Sequence, residues 1–77
     1  MDKDEHRLYV VEERHTGYTT QFIGFPLEYL HSAVTLAKDH AETIHYAENA
    51  VVNVYGLTPD VEIVLVHQII IGQGHLL

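Results

Sequence analysis

The chain has no cysteine, a single serine and only four basic residues among 77. Without cysteine there is neither a disulfide scaffold nor a thiolate metal site. The four cations, Lys3, Arg7, Arg14 and Lys38, stand against eleven acids and give a formal charge of −7 with the histidines neutral. So few positive side chains cannot neutralise a run of phosphates, which argues against direct contact with nucleic acid or an anionic membrane surface. A partner gathered by long-range electrostatics is a basic one. Long apolar runs are lacking too. The longest, "IVLVHQIII" at 63–71, falls far short of the roughly 20 residues of a membrane-spanning helix and carries His67 and Gln68. The opening "MDKDEHR" is charged where a secretory leader would be apolar, so the expectation is a soluble, cytoplasmic protein.

What the chain does have is apolar content and histidine. Hydrophobic residues make up 47%, which a disordered acidic tail would not. A single domain over 1–77 is expected, burying about 60% of its unfolded surface; this suits one sheet on one helix and leaves no room for a deep substrate cleft. Seven histidines allow the charge to move from −7 toward zero (−7 + 7) as they protonate. Solubility should therefore be least in mild acid, whether the histidines merely titrate at the surface or form a switch.

The periodicities specify an order of elements. "RLYVVEER" (7–14) is β-branched and aromatic and reads as a strand; "HTG" (15–17) supplies a turn, and "YTTQFIGF" (18–25) alternates as its hairpin partner. Pro26 suits the first position of a helix, with Glu28 in the first turn against the macrodipole. From 26 to about 46, Leu30, Ala33, Val34, Ala37, Ala41 and Ile44 recur at three- and four-residue steps as one apolar stripe. "AVVNVYGL" (50–57) is a third strand. "TPD" (58–60) reads either as a tight turn or as a helix start capped by Thr58. The β-branched Val61, Ile63, Val64, Val66, Ile69, Ile70 and Ile71 then favour a long fourth strand.

The expected class is therefore α+β: β-β-α-β-β, an antiparallel four-stranded sheet with one helix across one face. One helix covers one side, yet the last strand is apolar on both. Val61, Ile63, Leu65, Ile69 and Ile71 point one way under strict alternation, and Val64, Val66 and Ile70 point the other. The second set is the expected interface, closed by a homodimer or by a different protein.

"EYLH" (28–31) and "ETIH" (42–45) both match Glu-x-x-His, a spacing by which a helix offers a carboxylate and an imidazole to one ion. Wound as one helix, Glu28, His31, Thr35, Lys38, Glu42 and His45 share a polar arc, but the copies stand about 21 Å apart with Lys38 between them. Neither a shared ion nor a structural metal site is expected, and no cofactor. His67, inside the apolar strand, reads first as a buried histidine satisfied by a hydrogen bond, and His40 as bordering the core. Catalysis finds no support. Ser32 beside His31 points elsewhere, "GQG" (72–74) opens no helix, and Glu12 and Glu13 face opposite sides of their strand.

Two function classes remain. One is a small acidic, non-enzymatic inhibitor or adaptor that occupies a basic surface of another protein, such as one that binds nucleic acid. The partner face would be Glu28, His31, Asp39, Glu42, His45 and Glu48, with Glu12 and Glu13 adding charge. The hairpin–helix–strand order resembles small phage-encoded inhibitors of host machinery, anti-CRISPR proteins among them. A hairpin before an alanine-rich helix is also similar to HicB-type antitoxins. These resemblances imply an inhibitor or antitoxin role but assign no residue. The other class is a homo-oligomer that binds a small ligand near His67, Tyr9, Phe22 and Tyr55.

Overall fold

The computed structural model describes residues 8–15, 20–47 and 49–72. Strand β1 (Leu8–His15) and strand β2 (Gln21–Leu27) precede helix α1 (Leu30–Thr43); strands β3 (Ala50–Leu57) and β4 (Ile63–Ile71) follow. All pairings are antiparallel in the order β2-β1-β3-β4. The expected α+β class and β-β-α-β-β order are the observed ones. Most of the 15–17 turn, together with His6, Glu48 and His75, lies outside the described residues.

The helix is shorter at both ends than the 26–46 expected. β2 continues through Pro26 to Leu27, which is possible because β2 is an edge strand where a missing N–H forfeits no ladder bond. Tyr29 is still extended (φ −119°, ψ 138°) and caps the helix without a side-chain bond. Glu28 thus lies in the connection, and the first turn carries no acid. At the other end Ile44 is the C-cap, so His45 lies past the helix.

Alanine sets the helix–sheet distance. Ala33, Ala37 and Ala41 are buried and pack with Val11, Ile44, Ala50, Val52, Val54 and Ile71. A methyl group at each contact lets the helix axis lie close to the strands, and Leu36 fills the flank. Leu30, expected on the stripe, is 43% exposed because it begins the helix beyond the sheet contact. Gly24 has φ +70°, and a Cβ there would stand 3.4 Å from Leu36 Cδ2. That left-handed residue opens a bulge in which Gly24, Phe25 and Pro26 oppose Val10 alone.

A second bulge corrects the expected alternation of β4. Tyr55 pairs with Leu65 and Val54 with His67, so Val66 is the extra residue. The faces therefore exchange at Val66. Val66, Ile69 and Ile71 all meet the helix-side core, whereas Leu65 and Ile70 pair with open-face Tyr55 and Val51. Val64, Val66 and Ile70 consequently do not share a face. β4 is also an edge strand and largely exposed, not a strand buried on both sides.

The "TPD" segment is a turn. Val61 N donates to Thr58 O, Thr58 N to Glu62 O and Glu62 N to Thr58 Oγ1, each at 2.9 Å. Closing it places Val61 at φ +65°, a conformation that β-branched side chains resist. No helix among the described residues is long and apolar enough to cross a membrane.

Candidate functional site

The sheet face away from α1 holds the most organised chemistry of the chain. Because Val11, Val52 and Val54 turn toward the helix, Val10, Glu12, Arg14, Asn53, Tyr55 and Leu57 turn away from it. Register then aligns Glu12, Asn53 and Gln68 in one row across β1, β3 and β4. Asn53 Nδ2 donates to Glu12 Oε1 at 3.0 Å, and Tyr55 OH donates to the same oxygen at 2.8 Å. Gln68 Nε2 donates to Asn53 Oδ1 at 2.7 Å. Glu12 is 5% exposed and Asn53 3%, although both lie on the sheet face opposite α1.

Burial pushes the Glu12 carboxyl up, but hydrogen bonds from Asn53, Tyr55 and Thr20, with the Arg14 guanidinium nearby, hold it below the usual range. The same burial and the adjacent carboxylate push the Tyr55 hydroxyl up. Glu12 is accordingly a fixed anion. Its second oxygen lies 3.9 Å from Arg14, whose side chain is 58% exposed.

Beside this anion lies a hollow of about 400 Å³, walled by Val10, Phe22, Phe25, Pro26, Tyr55, Leu57 and Ile63. The β2 bulge makes one wall by swinging Phe25 and Pro26 outward; Phe25 is 86% exposed and Ile63 68%. Tyr55 belongs to both features. Its ring lines the hollow and its hydroxyl holds Glu12.

The helix side carries a second cluster. Glu13 accepts from His40 on α1 at 2.5 Å and from His15 on its own strand. The His40 bond, outweighing burial, and then the His15 bond hold the Glu13 carboxyl below its ordinary range. The His40 bond ties the helix to the sheet, and the His15 bond lies within β1. Among the described residues no group of three His, Cys, Asp or Glu side chains is placed to hold a metal ion.

The two Glu-x-x-His segments do not form the single helical arc expected of them. Glu28 precedes α1, and His45 follows it with its Nδ1 2.7 Å from the carbonyl of Glu42 rather than its carboxylate. Glu28, His31, Asp39, Glu42 and His45 are all exposed and enclose nothing; Glu48 lies outside the described residues. Of the expected ligand-site residues, Phe22 and Tyr55 line the hollow. Tyr9 packs with the core on the other face, where register also places His67. The polar row itself was legible only as isolated polar residues, Asn53 in "VVNVY" and Gln68 in "VHQII". Nothing local shows that they meet. Compared with known proteins, the chain matches no family model, no curated protein and no solved structure.

Proposed function

We propose that this chain is a small acidic, non-enzymatic interaction module, an inhibitor or adaptor that docks on a basic surface of another protein. The contact is the open sheet face rather than the acidic helix arc. One observation carries this reading: an apolar hollow beside a fixed carboxylate, on the sheet face opposite α1. Clustered exposed apolar side chains mark interaction sites, and scattered acids such as Glu28 and Glu42 supply steering instead of contact. A self-associated sheet pair would cover the same apolar face.

Bait comparison tests it. Wild type and Ile63→Asp, matched by circular dichroism, are immobilised and exposed to extract, and bound proteins are cross-linked. A basic protein retained by wild type, lost with Ile63→Asp and cross-linked to β2 or β4 is the expected result. Equal retention by both baits overturns the reading. The size of the hollow favours a second reading, a small apolar ligand, because about 300–1,000 Å³ is the range of ligand pockets. Native mass spectrometry of the purified chain would show such a ligand as added mass.

A further inference from the structure

We infer that β4 pairs edge to edge with β4 of a second copy of this chain, antiparallel, with Ile63 beside Ile70 of the copy and Val66 beside His67 of the copy. The two edges of the sheet are not alike. β2 carries Pro26 and the bulge at Gly24, both of which blunt an edge. β4 has no proline, glycine, acid, lysine or arginine over its nine residues, and among the described residues no strand lies on its outer side. Its Ile63, Val64, Leu65 and Ile70 are exposed. Such an edge offers a row of backbone N–H and C=O groups to another strand.

The bulge selects the occupant. Pairing with β3 puts Ile63, Leu65, Gln68 and Ile70 on the open face and Val64, His67 and Ile69 on the helix face, and Val66 packs into the helix-side core. From 63 to 70 the faces therefore run open, helix, open, helix, helix, open, helix, open, an order that reads the same backwards. Residues directly opposite on paired strands share a face. An antiparallel copy satisfies this at every position: Ile63 meets Ile70, Val64 meets Ile69, Leu65 meets Gln68 and Val66 meets His67. A regular strand alternates without a break, so it matches β4 on one side of the bulge only. Charge agrees with the direction. Glu62 just precedes β4 and no acid follows it, so the antiparallel copy sets Glu62 beside Ile71, whereas a parallel one would set two Glu62 side by side. The assembly also closes on itself. Its eight-stranded sheet ends in β2 on both sides, leaving no unprotected edge. The open face stays free, so this inference stands apart from the basic-partner reading.

The absence of cysteine allows single spin labels. Ile63→Cys and Ile70→Cys, matched to wild type by circular dichroism, each carry one nitroxide and are measured by double electron–electron resonance. Positions 63 and 70 exchange places across the two-fold axis, so both should give one and the same distance, about 24 Å. Light scattering of wild type at up to about 1 mM, the weak end of association, should show the mass rising from 8.8 kDa toward twice that value. Ile70→Lys falls at two contacts of the pair and should weaken association about tenfold. Thr35→Lys, exposed on α1, should leave it unchanged. A mass that stays at 8.8 kDa overturns the inference. So do clearly unequal distances from the two labels, or association that ignores Ile70→Lys.

Discussion

His40 Nε2 on α1 lies 2.5 Å from Glu13 Oε1 on β1, a bond between residues 27 apart in the chain. The carboxylate accepts, so the ring carries its proton on Nε2. This bond joins the helix to the sheet beside the alanine contact. Replacing His40 by Ala should lower the free energy of unfolding by about 1–2 kcal/mol, the worth of a part-buried bond to a charged acceptor. Urea denaturation of the two proteins checks it. A midpoint unchanged by the substitution would show that the bond contributes nothing.

Glu12 and Glu13 both have carboxyl pKa values lowered in the folded protein. A depressed folded pKa means that the unfolded chain binds the proton more tightly. The stabilisation is then fully present above the unfolded value of 4.5 and is lost as pH falls through the lower folded values. Thermal midpoints measured from pH 7 down to pH 3 should therefore fall mainly below about pH 4.5. The decline should be shallower in Glu13→Gln than in wild type; identical slopes would contradict the assignment.

Asn53 is the hub of the polar row, donating to Glu12 and accepting from Gln68. Truncation to Ala leaves a buried carboxylate with fewer donors and Gln68 without its acceptor. A loss of about 2–3 kcal/mol is expected, more than for a typical surface substitution. Asn53→Ala should also raise the Glu12 pKa, which the carboxyl carbon shift reports during an NMR titration.

Val61 is strained, with φ +65° at a β-branched residue that is 76% exposed. Glycine at this position relieves a conformational cost of about 1–2 kcal/mol, partly offset by the greater freedom of glycine in the unfolded chain. Val61→Gly should leave stability equal or raise it by up to about 1 kcal/mol, whereas Val61→Pro should destabilise, since proline cannot adopt positive φ. Thermal melts of both variants decide the sign.

Ala37 is fully buried between α1 and the sheet. Leucine there forces the helix outward and should cost about 1–3 kcal/mol. The same change at exposed Thr35 should be near neutral, so the pair separates crowding from helix propensity.

Much of the fold was legible from local pattern. Strand, helix and turn follow from alternation at period two, from the alanine stripe at 33, 37 and 41, and from Thr58 and Pro59. These signals are local because they record which side of a single element meets water. The helix start was misread because proline suits both a first helical turn and an edge strand. Only pairing with β1 shows that Pro26 is on an edge. The candidate site was less legible still. Glu12, Asn53 and Gln68 come from three strands and meet through register, a long-range quantity with no local signature.

By itself the sequence determined the acidic charge, the absence of thiol chemistry, the β-β-α-β-β order and the presence of apolar surface in excess of what one helix covers. Tertiary structure decided where that excess lies. One extra residue at Val66 exchanged the faces of β4, and the bulge of Gly24, Phe25 and Pro26 raised a wall beside Val10. Side-chain direction alternates residue by residue, so each insertion in a ladder reassigns everything beyond it. The hollow and its anion exist only once the strands are paired.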